Sequence, residues 1–144
     1  MDNAFGFRTD TRDVRYLIER LENFEQEKAV RAGLKSATDV FRRKGLSNLR
    51  SRLLHHGGKG NLLRSLKVQS VRERPVAFAG YNKLGHHAHL VDRGTVRRNY
   101  LGKDRGLMPS NSFWTDARKS EEGKARDALY DGIAKAVERI NNRR

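Results

Sequence analysis

The feature that most constrains this chain is a change of hydrophobic period across Gly57-Gly58-Lys59-Gly60. Before it, apolar residues recur at helical spacing; after it, they alternate. A helix interior loses about 1 kcal/mol for each glycine relative to alanine, so three in four residues end the element. Upstream, Val30, Leu34, Ala37 and Phe41 step by four, three and four, and Leu46, Leu49 and Leu53 extend the stripe. A long amphipathic helix is predicted from around Glu25, with Gly45 as a place for a kink or break. A shorter helix is predicted before it, capped by Asp10 or Thr11, with Asp13 in its first turn and Val14, Leu17, Ile18 and Leu21 on one face.

Downstream, Leu66 and Val68 alternate with Lys67 and Gln69, and residues 76–81 read Val-Ala-Phe-Ala-Gly-Tyr. Two strands joined across Pro75 make a hairpin, and a third strand is predicted over residues 87–92. Residues 95–107 show no period and hold Gly102 and Gly106. They read as a long irregular loop, launched by a sharp turn at Gly94. Its few apolar residues and like charges offset little ordering entropy, so it is expected to be mobile alone and ordered by neighbours. Pro109-Ser110-Asn111-Ser112 opens a last helix. Phe113 and Trp114 are expected there as core anchors, and Leu129, Ile133, Ala136 and Ile140 as an apolar stripe.

The fold class is therefore α+β: a small antiparallel β-sheet flanked by a long N-terminal helix and a C-terminal amphipathic helix. The 144 residues suit one domain. Its predicted parts are an N-terminal arm (1–10), a helical region (11–56), the β-sheet (62–95), a long basic loop (96–108) and a C-terminal helical region (109–144). A three-stranded sheet leaves two open edges, which invite pairing with another chain.

Charge narrows the partners. The net charge is +14, yet residues 1–41 carry −1 and residues 116–144 carry +2. The centre, residues 42–115, holds sixteen Lys/Arg against Glu73, Asp92 and Asp104, a net +13. A field this lopsided attracts nucleic acid, an anionic membrane surface or an acidic protein. Arg93, Arg97, Arg98, Lys103 and Arg105 are the candidate polyanion- or partner-binding residues. No helix-turn-helix, zinc-finger or RNA-binding aromatic pattern accompanies them, so any nucleic acid would be held through phosphates without sequence choice.

Other chemistry finds little support. With no cysteine, disulfide scaffolds, thiolate metal sites and thiol catalysis are excluded. His87 and His89 share a face if they lie on a strand, but no third metal ligand is evident. The glycine-rich run lacks the Gly-Lys-Ser/Thr ending and the preceding strand of a phosphate loop. No nucleophile is aimed by a base, and the three central acids are widely spaced, so no enzyme, cofactor or metal is predicted. No apolar run approaches the ~20 residues of a membrane span. Residues 1–10 mix acidic, basic and aromatic residues and do not read as a secretory signal.

Three segments, in order, carry a resemblance. Gly60-Asn61-Leu62-Leu63-Arg64-Ser65-Leu66 resembles the Gly-Asn-Leu-x-Lys/Arg-Ser-Ile/Leu motif of the lambdoid minor tail component family, a family of tailed-bacteriophage neck and tail-completion proteins. Ala88-His89-Leu90-Val91-Asp92-Arg93-Gly94-Thr95 is similar to that family's Ala-x-x-Val-Glu-x-Gly-Thr. Phe113-Trp114-Thr115-Asp116-Ala117 is similar to its Phe-Leu/Trp-x-x-Ala. The chain departs from the pattern with Lys59 for Thr, Asp92 for Glu, and Pro109 four residues ahead of Phe113. The resemblance spans residues 25–140 and marks Gly60, Asn61, Leu62, Ser65, Asp92, Gly94, Thr95, Phe113, Trp114 and Ala117 as structural.

What the resemblance implies is a non-enzymatic virion protein, made in the bacterial host cytoplasm and assembled as a homo-oligomeric ring at the head–tail junction. Its implied partners are copies of itself, the adjacent connector, tail terminator or tail-tube proteins, and packaged double-stranded DNA through phosphates, with no membrane. The alternative is a sequence-independent nucleic-acid-binding protein, nucleoid- or RNA-associated, that uses the basic centre.

Overall fold

The computed structural model describes residues 5–6, 18–53 and 60–143. In chain order its elements are β1 (Phe5–Gly6), α1 (Asn23–Arg52), α2 (Asn61–Ser65), β2 (Leu66–Ser70), β3 (Ala77–Tyr81), a 3₁₀ turn (Lys83–Gly85), α3 (Ala88–Arg93), β4 (Asn99–Tyr100), β5 (Lys103–Asp104) and α4 (Phe113–Asn141). The α+β class holds: two long helices flank a small antiparallel sheet. The helix predicted before α1 and the glycine-rich terminator fall mostly on residues 7–17 and 54–59, outside the described residues.

The predicted stripes build the core. Val30, Leu34, Ala37, Phe41, Leu46 and Leu49 of α1 are buried against Leu129, Ile133 and Ala136 of α4. The two helices run antiparallel: Gly33 meets Gly132 and Ile133, while Gly45 and Asn48 meet Trp114 and Phe113 at the other end. Small residues set the spacing. A Cβ on Gly33 would stand 2.5 Å from Ile133 Cγ1 and 2.6 Å from the Leu129 carbonyl oxygen. Gly45 does not break α1, which continues through it to Arg52. Its missing side chain admits the Trp114 ring, which a Cβ would meet at 2.8 Å. Packing against α4 outweighs the helix propensity lost at that glycine.

The sheet order is β1-β3-β2, all antiparallel. The hairpin across Pro75 is present, with Leu66 opposite Tyr81 and Ser70 opposite Ala77. The third strand differs from expectation. Phe5 and Gly6 pair with Ala79 and Phe78 as β1, and residues 87–92, read as a strand, fall instead on the start and body of helix α3. Ala88 and Asp92, four apart, are the two buried residues of α3, a helical spacing that the alternation of Ala88, Leu90 and Asp92 mimicked. The range 62–95 is thus mixed rather than sheet, since residues 61–65 are also helical.

Candidate interaction surface

Asp92 organises the joint from which the surface grows. It is 2% exposed. Its Oδ1 accepts from the backbone N–H groups of Trp114 (2.7 Å) and Thr115 (3.1 Å), and its Oδ2 from the Thr115 hydroxyl (2.6 Å). These are first-turn donors of α4, which have no partner inside the helix. A carboxylate from another element caps them, and its charge suits the positive end of the helix dipole. Ser112, the residue at the cap position, is left-handed (φ 54°) and makes no side-chain cap. Its N–H instead donates to the Asp92 carbonyl at 2.8 Å, which also accepts from the Ser110 hydroxyl. From α1, Asn48 Nδ2 donates to the Phe113 carbonyl (3.0 Å), and Arg52 Nη1 reaches both the Asn111 carbonyl (2.8 Å) and Asp116 (2.7 Å). The end of α3, the end of α1 and the start of α4 are thereby tied together.

Tyr81 links this joint to the first motif. Its ring lies edge-on to Phe113 and Trp114, with centroids 6.3 and 6.4 Å away. On another side it meets Gly85, where a Cβ would come within 2.8 Å of the ring and 2.0 Å of Ser65 Oγ. Burial, and then the charge of Asp92, push the Tyr81 hydroxyl well above its ordinary pKa. Leu62, Ser65 and Ala117 are buried, Asn61 is exposed, and Gly60 takes a left-handed conformation (φ 64°) at the start of α2. The three motifs therefore converge on one structural unit.

From that unit residues 95–108 project as an arm. Gly94 begins it at φ 78°, where a Cβ would stand 2.7 Å from the Met108 carbonyl oxygen and 2.8 Å from Ser110 N. Only glycine fits both that conformation and that approach. The segment read as an irregular loop is a β-hairpin. Thr95 N donates to the Met108 carbonyl (2.9 Å) and Met108 N to the Thr95 hydroxyl (2.9 Å). Further out, Arg98 N donates to the Gly106 carbonyl (3.0 Å) and Arg105 N to the Arg98 carbonyl (2.7 Å). Asn99 then pairs with Asp104, and Tyr100 with Lys103.

The tip is Leu101-Gly102, with φ of 51° and 72°. Consecutive positive φ values are what a two-residue hairpin turn needs, and Asn-Gly is the usual sequence. Leucine there conceals the turn from sequence reading. Every residue from 96 to 105 is exposed. Val96, Tyr100 and Leu101 are 83, 63 and 84% exposed.

Four of the five candidate basic residues lie on this arm, and Arg93 lies in the last turn of α3, next to Gly94. Arg97 is not free: its Nε donates to Asp104 Oδ2 at 2.9 Å, and its Nη2 contacts the same oxygen. That pairing and the Gly106 N–H hold the Asp104 carboxyl below its ordinary range, and Asp104 raises Arg97 in turn. Arg98, Lys103 and Arg105 remain as exposed cations, with the Arg105 guanidinium 6.0 Å from the Tyr100 ring centroid. On the helices, by contrast, charges pair locally: Asp39 with Arg42 and Arg43, Glu121 with Lys124, Asp131 with Lys135. Tyr100 and Leu101 join the surface as apolar members that the selection of basic residues left out. Their signal in the sequence is a Tyr-Leu-Gly run bracketed by cations.

His87 and His89 sit around a helix start rather than alternating along a strand, so the shared face expected of them is lost. Among the described residues no group of three or more His, Cys, Asp or Glu is arranged to hold a metal ion. No described helix is long and apolar enough to cross a membrane. Compared with family models, curated proteins and solved structures, the chain matches none.

Proposed function

We propose that this chain is a structural protein of a tailed-phage particle, assembling as a homo-oligomeric ring at the head–tail junction that joins the connector to the tail around the DNA passage. The observation that carries this reading is the arm. A hairpin rooted in a tightly bonded joint, with apolar residues that bury nothing in their own subunit, is built to be covered by something else. Among the described residues β1 and β2 are the edge strands of the sheet, and they add a second self-pairing surface. Contacts between unlike surfaces of identical subunits close into rings when the rotation closes. The ordered motif set supports the same reading, because its residues build the joint and the arm's root rather than scattering.

A reconstruction of particles carrying the chain tests the proposal. Symmetric copies around the axis at the head–tail junction are expected, and isolated single copies or absence from that position would overturn it. Arg97→Glu with Arg98→Glu is expected to leave the subunit folded and block head–tail joining; normal infectious yield from that double variant would remove the arm from the mechanism.

A further inference from the structure

The geometry points to the arm as a duplex-DNA grip, a β-ribbon that enters the minor groove with Leu101 as a wedge between base pairs. The inference takes from the preceding reading only that the arm faces a partner, and needs neither the ring nor the particle.

Length and charge agree with this occupant. A strand advances about 3.3 Å per residue, so Arg98 and Arg105 stand about 10 Å behind the Leu101-Gly102 tip. The minor groove is about 7.5 Å deep but only about 6 Å wide, so a two-stranded ribbon enters it only where the wedge kinks the duplex and widens the groove. With the tip at the groove floor, those two guanidinium groups are level with the phosphates along its rim. Lys103, next to the tip, enters the groove itself. Asp104 lies between them and would repel phosphate, but Arg97 neutralises it. Arg93, at the root of the arm, adds a further cation.

The tip supplies the second argument. The charge of an acidic protein surface accounts for the cations but not, by itself, for leucine at a strained turn. A leucine held at φ 51° and 84% exposed is costly on both counts. Apolar side chains that partly unstack a base step are a recurrent device of minor-groove binding, and leucine is among them. The turn places Leu101 at the end of the ribbon, where such a wedge has to be. Pyrimidine–purine steps unstack most easily, so a preference for TA steps follows without any base-edge contact.

The test uses the full chain and a 30-base-pair duplex carrying 2-aminopurine at a central TA step, read by anisotropy for affinity and by 2-aminopurine fluorescence for unstacking. With four phosphates neutralised, affinity should fall on the order of 100-fold between 50 and 200 mM salt. Fluorescence should rise on binding. Leu101→Asn should keep the salt slope and abolish the rise. Arg98→Glu with Arg105→Glu should lose most of the affinity, with an unchanged circular dichroism spectrum showing that the fold is intact. Absence of salt-dependent binding, or binding indifferent to the double reversal, overturns the grip and leaves an acidic protein as the arm's partner. Binding without a fluorescence rise, or a rise that survives Leu101→Asn, overturns the wedge. A chain that grips DNA but is absent from the particle's junction would sink the ring alone.

Discussion

Among the described residues other than glycine, only Ser112 and Leu101 adopt positive φ, at 54° and 51°. They stand at opposite ends of the same arm system. Ser112 is held: its N–H meets the Asp92 carbonyl, its hydroxyl meets Ser110, and the Asp92 carboxylate fixes the next turn. Leu101 has only the turn beneath it and solvent around it. Strain that is over-determined by its surroundings serves the fold, whereas strain left exposed points to work done elsewhere. The joint is where the chain fixes its own shape, and the exposed tip is the part proposed to meet a partner.

Asp92→Ala should break this contrast most severely. It leaves two N–H groups and one hydroxyl of α4 without their acceptor, while the backbone carbonyl of residue 92 still holds the Ser112 N–H. Buried orphan donors cost about 1–3 kcal/mol each, and part of that is recovered by relaxation and water. A net loss of about 3–5 kcal/mol is expected in urea unfolding, a large share of a small domain's stability. A loss under about 1 kcal/mol would mean that the joint is held by packing rather than by this carboxylate.

Gly94→Ala comes next. The substituted Cβ collides with the Met108 carbonyl and Ser110 N in a conformation that alanine disfavours, so about 2–4 kcal/mol should be lost. Because the collision is with the far strand of the hairpin, the amide signals of residues 95–108 should shift while those of α1 stay in place. Uniform shifts through both helices would show that arm and core are not separate units.

The same contrast explains what could be read from the sequence. The joint's ingredients were visible as motifs, the helical stripes of α1 and α4 marked the faces that pack, and aromatic size placed Phe113 and Trp114 in the core. The role of Asp92 was not, because a cap supplied from another element has no local signature. The short run at residues 87–92 was too brief for its period to tell strand from helix, and Ala88 and Asp92, buried four apart, lie on one face of a helix. Third-strand pairing came instead from Phe5 and Gly6, too short a segment to show a period. The arm was read as irregular because its hairpin is built from exposed residues whose apolar and charged members follow no period, and its turn uses Leu-Gly. Backbone hydrogen bonds and the Thr95, Arg97 and Asp104 side chains carry that ladder, and hydropathy does not see them.

Leu101→Asn should move stability the other way. Asparagine tolerates the left-handed conformation, and nothing packs on Leu101 to be lost. A gain of up to about 1 kcal/mol is expected in the urea midpoint. The same variant is expected to lose base unstacking. A gain in stability with a loss of function from one exposed substitution would show that the strain is kept for the partner. A destabilised variant would place Leu101 among the contacts that hold the subunit together.

The smallest effect expected is in acid. Asp104 has its folded pKa lowered, first by Arg97 and then by the Gly106 N–H, from an ordinary value of 3.8. A depressed carboxylate adds stability that is fully present above its unfolded pKa and is lost as pH falls through the folded one. The clamp across the arm should therefore be unchanged from pH 7 down to about 5 and loosen only below the ordinary aspartate range. Both groups are exposed, so global unfolding should scarcely register it. The local signal is the Gly106 amide, which donates to Asp104 Oδ1 at 2.8 Å. Its chemical shift should titrate with Asp104 below pH 3.8, together with the Arg97 Nε–H, and amide exchange within the arm should quicken over the same interval relative to the intrinsic rate. In Asp104→Asn both titrations should vanish and the arm should exchange faster already at neutral pH, while the amides of Trp114 and Thr115 at the joint stay as they were. A Gly106 titration centred above 3.8 would reverse the sign of the coupling, showing that the carboxylate is not stabilised by Arg97. The arm's order would then rest on its ladder alone.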